Sequence, residues 1–430
     1  MKEPGPSPQE RSVAHDGELP LLQRLGPGLI AGASDDDPSG IATYSQAGAQ
    51  FGYGMLWSIL LTTPLMIGIQ VVSARIGRVT GHGLAANIRD HYPRPLLYLV
   101  VGLLLVANTF NVAADLGAMG DALVLVVGGN SSIYIVLFAL VSLTLQIFIP
   151  FPRYAPLLKW LTVALFAYVG TAFVVHVPLE GLVQAVLPRA TLDGPYVALL
   201  VAVLGTTISP YLFFWQASQE VEEQRATPGH EPLREAPGQA RAHLRRIRFD
   251  TVIGMVYSNL IAFCVMLTAA ATLHAAGVRE IGSAAQAAAA LRPLAGDFAF
   301  LLFALGIIGT GLLAVPVLAG SAAYAVSEAF RWPIGLGLPL AEARGFYAIL
   351  AISTLLGVAI DFSGVDSIKA LLWAAVLNGV VSVPIMVVMM LLAGNPRVMG
   401  AFTASRRLKA LGWLATGVMA AAVTAMFALM

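Results

Sequence analysis

Charge is what this 430-residue chain has least of: only 11% of its residues are Asp, Glu, Lys or Arg, against 57% that are hydrophobic. Soluble domains carry about 25% charged residues, so the shortage excludes a solvated globular protein and points to a chain that lives in lipid. Cysteine is nearly missing as well. The one cysteine, Cys264, lies in an apolar run, which excludes an internal disulfide and any Cys-rich zinc or iron–sulfur site. It reads as a small buried hydrophobe. A formal net charge of +1 gives neither sign an excess, and no basic patch with interleaved aromatics is present to bind nucleic acid. Nor is there a nucleophile–base pair or a dense His/Glu cluster, so an enzyme is not expected and no cofactor is implied.

What the chain does have is long apolar runs. A helix needs about 20 apolar residues to span a bilayer at about 1.5 Å rise per residue. On that measure there are eleven spans, at about 26–50, 54–74, 95–119, 131–150, 157–177, 195–222, 250–275, 297–327, 345–361, 368–393 and 411–430. Residues 1–24 are polar and Pro-rich and read as a flexible cytoplasmic tail. No short apolar core with a small-residue cleavage site precedes the first span, so a cleaved signal peptide is not expected. With the N-terminus inside, 21 of the 25 Lys and Arg fall on cytoplasmic segments and 4 on external ones. That asymmetry predicts a cytoplasmic N-terminus and an external C-terminus in a plasma-membrane protein. The segment 223–249 reads as a solvated cytoplasmic linker ending in a basic anchor, Arg245-Arg246-Ile247-Arg248.

Two spans are interrupted. The first carries Ser34-Asp35-Asp36-Asp37-Pro38-Ser39-Gly40, three carboxylates followed by helix breakers, and no residue from Pro38 to Ala74 is charged. A carboxylate at membrane depth costs roughly 2.5–3.5 kcal/mol on insertion scales. Chains keep such breaks where freed backbone and charge line a cavity. The sixth span breaks at Ser209-Pro210, five spans later. Interrupted helices at corresponding places in two five-helix halves predict an inverted-repeat transporter with its site at mid-membrane. The halves would be 25–180 and 181–394, with 395–430 as linker and eleventh span. Break carbonyls and an ionised carboxylate make a cation site suited to hard or borderline divalent ions. Asp37 can also cap the second half-helix, with Pro38 at its first position.

These residues resemble a known family. Gly26-Pro27-Gly28-Leu29-Ile30, then Asp37-Pro38-Ser39-Gly40-Ile41-Ala42-Thr43, then Gln46-Ala47-Gly48-Ala49-Gln50-Phe51-Gly52-Tyr53 are similar to the first span of the Nramp divalent-metal transporters. The likeness continues at Ala74-Arg75-Ile76-Gly77-Arg78-Val79-Thr80-Gly81, at the span 6 break, at Arg248-Phe249-Asp250-Thr251 and, more loosely, in span 8. It implies an all-α, LeuT-type fold and transport of a divalent metal, usually manganese or ferrous iron with protons.

The departures from the family pattern carry information. Its first-span Asp-Pro-Gly-Asn reads Asp37-Pro38-Ser39-Gly40 here, so the aspartate is kept and the amide ligand is lost at Gly40. Its sixth-span Ala-Thr-Val-Met-Pro-His reads Thr206-Thr207-Ile208-Ser209-Pro210-Tyr211, which keeps the Thr206 carbonyl but puts a hard hydroxyl, Ser209, where a thioether stood. Tyr211, whose phenol titrates far above neutral pH, replaces the histidine linked to proton movement. In span 3 the family's acidic pair falls on Val112 and Asp115. The departures resemble the Nramp-related magnesium transporters, a divergent branch. The expected metal residues are therefore Asp37, Gly40, Thr206 and Ser209, with Asp35, Asp36, Asp115, Tyr211 and Asn378 as vestibule or coupling residues. The expected cargo is Mg²⁺ first and Mn²⁺ second, carried by alternating access through a protein for which a monomer is the simplest assembly. A proton-coupled Mn²⁺/Fe²⁺ importer is the alternative. An organic-solute carrier on the same fold is the rival, although three aspartates would repel a substrate carboxylate. Asp121, at the end of span 3, is a further candidate for a permeation or coupling role, whereas His176 and His274 stand near the external ends of their spans without a partner at metal-ligand spacing.

Overall fold

A computed structural model of the chain describes residues 26–149, 153, 162–175, 193–364 and 366–430. The tail 1–24, residues 157–161 of the fifth span and His176 lie outside the described residues. Helices run α1 (Pro27–Asp35), α2 (Pro38–Phe51), α3 (Leu56–Thr80), α4 (Leu84–His91), α5 (Arg94–Val127), α6 (Ser131–Phe148), α7 (Phe166–Val174), α8 (Gly194–Thr207) and α9 (Pro210–Ala226). They continue as α10 (Ala240–Ala269), α11 (Ala284–Ala289), α12 (Arg292–Ala295), α13 (Ala299–Phe330), α14 (Arg344–Asp361), α15 (Ser367–Gly394), α16 (Pro396–Met399) and α17 (Arg406–Leu429). Among the described residues there is no strand.

Nine of these stretches are long and apolar enough to cross a bilayer. The expected count of eleven and this nine describe one arrangement. The second half of span 1 runs on into span 2 through a 3-10 turn at Gly52–Met55, so Pro38–Thr80 reads as a single stretch. Only Val163–Val174 of span 5 is described as an apolar helix.

Burial separates the core from the lipid face. In its most apolar window the span made of α8 and α9 is 89% buried, whereas α6 and α17 are each 28% buried. The broken helices therefore stand at the centre and α6 and α17 at the rim. Around the centre, α10 packs on α1, α2 and α3, α8 packs on α15, and α5 runs along α13, α14 and α15.

Helices outlast the apolar runs that signal them, because backbone hydrogen bonding continues past the apolar run. α10 starts at Ala240, ten residues before the expected span, and covers the last ten residues of the segment read as a solvated linker. Leu233 there is fully buried, and its amide and that of Arg234 donate to the Arg78 and Val79 carbonyls at the end of α3. The segment is thus packed against the helix ends, and Arg246 pairs with Glu220 at 2.6 Å and Glu223 at 2.7 Å.

Candidate metal site at the two helix breaks

Asp37 is placed by local rules. Pro38 cannot donate a backbone hydrogen bond and fixes its own φ, so it suits the first turn of α2. Asp37 caps that turn, its Oδ1 accepting the Gly40 amide at 2.7 Å. Capping thus takes one oxygen and leaves Oδ2 for other work. The second break mirrors this only in part. Ser209 stands at the cap position of α9 but makes no capping bond. Its hydroxyl instead reaches back to the Gly205 and Thr206 carbonyls, at 2.9 and 2.8 Å. The freed Ile208 carbonyl accepts from Ser382 on α15 at 2.8 Å.

The two breaks face each other. The Tyr211 hydroxyl, on the first turn of α9, donates to the Ser34 carbonyl at 3.0 Å and approaches Asp37 Oδ2 at 3.4 Å. A Cβ built on Gly40 would lie 3.2 Å from the Asp35 carbonyl oxygen, 3.4 Å from Asp37 Oδ1 and 3.4 Å from Thr206 Oγ1. Asp37, Gly40, Thr206 and Tyr211 therefore share one buried pocket of backbone and oxygen groups, while the Ser209 hydroxyl is turned back to the carbonyls of α8.

The other expected acids are distributed around it. Asp35 and Asp36 both turn toward α10, where Ser258 Oγ lies 2.6 Å from Asp35 Oδ2 and 3.3 Å from Asp36 Oδ1. Asp115 on α5 is fully buried, and neither of its carboxylate oxygens has a hydrogen-bond partner among the described residues. It stands within electrostatic reach of Asp37 and of the Ser39 amide at the start of α2. Asn378 does not turn to the pocket. It forms a reciprocal amide pair with Asn111 on α5, at 2.9 and 3.1 Å, and so ties α15 to α5.

Asp121 is part-buried, accepts from Ser131 at 2.7 Å, and lines a narrow, mostly apolar recess that reaches Pro38. His274 Nδ1 lies 2.8 Å from the Ala49 carbonyl, and its ring packs on Gly52, away from the acids. Cys264 is buried and free, as a small hydrophobe would be.

Among the described residues no basic side chain pairs with the four acids. The ion pairs among the described residues are Arg89–Asp90, Arg331–Asp90 and the two of Arg246. Buried carboxylates without a partner are costly, so such a pocket favours a cation that neutralises it. No three His, Cys, Asp or Glu side chains among the described residues converge on one point. An ion here would take the rest of its shell from carbonyls, hydroxyls and water.

Three contributors escaped the sequence reading. Ser258 was visible as part of Ser258-Asn259, a polar pair inside an apolar run. Tyr44 and Ser382 gave no signal, because their importance depends on which helices become neighbours.

The geometry agrees with what the chain is similar to. The family model described as natural resistance-associated macrophage protein-like matches residues 28–429. The divalent metal cation transporter MntH of Klebsiella pneumoniae is 29% identical over 415 residues, covering 94% of this chain and 93% of that one. MntH of Yersinia pestis is 29% identical over 406 residues, with 91% of each chain covered. Among solved structures, a manganese transporter of Eremococcus coleocola superposes with a TM-score of 0.74 at 18% identity, over 98% of this chain and 88% of that one. Mhp1, a nucleobase-cation-symport-1 family transporter, gives 0.53 at 14% identity over 94% and 92%. The fold is thus the LeuT-like one, and with a family match that runs almost from end to end, the chain belongs to the Nramp family.

Proposed function

We propose that this protein carries divalent metal cations across the membrane by alternating access around the two broken helices. The observation that carries this reading is the pocket in which Asp37 Oδ2, the break carbonyls and the Tyr211 hydroxyl meet at buried depth. The curated relatives are divalent metal transporters rather than enzymes, which agrees with the absence of a nucleophile–base pair.

Mn²⁺ is the cargo named for the solved relative. The donor set here is oxygen alone, and oxygen donors hold Mg²⁺ as readily as a thioether would discourage it. Mg²⁺ is therefore proposed as a second cargo; nothing in the relatives singles it out. Residues 25–180 and 181–394 are proposed as the two inverted halves, with a cytoplasmic N-terminus supported by the charge asymmetry.

The test is flux into proteoliposomes loaded with metal-sensing dye. Mn²⁺ uptake that Mg²⁺ competes for is expected, and Asp37→Ala is expected to lower uptake about 10- to 100-fold, the worth of one charged ligand. Undiminished uptake in that variant would overturn the site. Mn²⁺ uptake indifferent to Mg²⁺ would overturn Mg²⁺ as a cargo.

A further inference from the structure

Where α4 meets the ends of α9 and α13, on the side that the charge asymmetry assigns to the cytoplasm, the surface opens into a cleft of about 360 Å³. Its lining includes His82, Arg89, Arg225, Arg331, Trp332 and Glu328. The acids that line it or pair with its arginines are already engaged. Asp90 pairs with Arg89 at 2.9 Å and with Arg331 at 3.6 Å. Glu328 is 3% exposed and accepts the Ala86 amide at 3.1 Å and the Ser218 hydroxyl at 3.2 Å. Arg225 makes no ion pair among the described residues. His82 turns Nδ1 to the Thr80 carbonyl at 2.9 Å, which leaves Nε2 uncommitted. Three guanidiniums against two carboxylates leave one positive charge unanswered, and a phosphodiester carries one negative charge.

Two independent observations bear on what fills the cleft. Arg331 ends α13 at φ 60°, and among the described residues it is the only one other than glycine with a positive φ. Glycine is the usual residue at such a helix end, so the backbone cost here goes with keeping a guanidinium at the cleft. Beside it the exposed rings of Tyr98, Phe330 and Trp332 form a stacked ladder, with centroids 6.2 and 5.4 Å apart. Aromatic rings gather where lipid headgroups meet acyl chains. Cations and interfacial rings thus lie side by side.

We propose that this cleft binds an anionic phospholipid of the cytoplasmic leaflet. Its phosphodiester meets Arg225, Arg331 and His82, with the less exposed Arg89 held in place by Asp90 and the Glu328 carbonyl. Its glycerol and acyl chains lie along the Tyr98–Phe330–Trp332 ladder. Guanidinium forks suit phosphate oxygens, and basic pockets between transmembrane helices suit anionic headgroups. Arg225 stands at the end of the half-helix that follows the second break, whereas Arg89 and Arg331 belong to α4 and to the end of α13. One lipid therefore ties a broken span to its neighbours. A free phosphate offers the same oxygens but has nothing to lay on the rings.

The test is native mass spectrometry of the full chain, delipidated in detergent, against phosphatidylglycerol, phosphatidylcholine and inorganic phosphate, with no metal added. One phosphatidylglycerol per chain is expected, held about tenfold more tightly than phosphatidylcholine and raising the thermal midpoint. Arg225→Gln should weaken it about tenfold. Arg331→Gly is the sharper variant. It relieves the left-handed backbone, so the lipid-free protein should melt no lower than wild type while the lipid is lost. A merely structural arginine would not separate those two readings. Equal retention of the two lipids overturns the site, as does phosphatidylglycerol binding that survives Arg225→Gln combined with Arg331→Gly. Displacement of phosphatidylglycerol by inorganic phosphate at equal concentration overturns the lipid as occupant.

Discussion

At the scale of single residues, local rules carried further than long-range ones. An aspartate before a proline, in an apolar run, predicts a cap and a helix start wherever it occurs, and Asp37 and Pro38 took those roles. Asn378 obeyed a rule that needs its neighbour: the amide pairs with Asn111, and nothing in either segment announces that α5 and α15 will touch. Two predictions belong here. Tyr211→Phe removes a hydroxyl that donates to the Ser34 carbonyl and should cost about 1 kcal/mol of stability. Because a phenol is a poor proton carrier, transport should survive; its complete loss in correctly folded protein would make the hydroxyl essential. Ser209→Met would restore a soft donor at the break. Competition assays should then show preference for Mn²⁺ over Mg²⁺ rising about tenfold, or about 1.4 kcal/mol.

At the scale of elements, the first half of span 1 is held by specific contacts with α10. The Asp250 carboxylate on α10 accepts the amides of Gly26, Gly28 and Leu29 at 3.0, 2.7 and 3.1 Å, answering the positive end of α1. Farther along, a Cβ on Gly32 would lie 2.2 Å from the Gly254 carbonyl oxygen, so only glycine lets α1 lie this close to α10. Gly32→Leu should therefore dislodge α1, and poor yield with loss of transport is the expected outcome in expression and uptake assays. Asp250→Asn keeps the shape but loses the charge. It should lower the thermal midpoint, the loss corresponding to about 1–3 kcal/mol. If α1 must swing for release, the same variant should also show greater labelling of a cysteine placed at the α1–α10 contact. The sequence signalled the break in span 1 through its breakers and acids. It did not signal the clamp, because Asp250 is more than two hundred positions away.

At the scale of the whole molecule, the arrangement of spans was legible because lipid permits few solutions: backbone groups must be satisfied internally, and apolar runs of fixed length announce the helices. The nine long apolar stretches among the described residues and the central place of the broken spans follow from that constraint. Less legible was the polar surround, since helix continuation into 240–249 and the packed 223–239 segment depend on tertiary contacts with α3 and α9.

The carboxylates that face the breaks without a basic side chain have a consequence for energy coupling. A pocket whose four carboxylates are unanswered is strongly negative when empty and less so when a divalent ion fills it. The membrane field does less work on the smaller charge, so the metal-bearing step is the less voltage-sensitive one. The field acts mainly on the return of the empty carrier, at about 2.3 kcal/mol per elementary charge for each 100 mV. An inside-negative potential pushes that empty, negative pocket outward and readies it for the next ion. Tracer exchange of Mn²⁺ for Mn²⁺ should then respond less to an imposed potential than net uptake does.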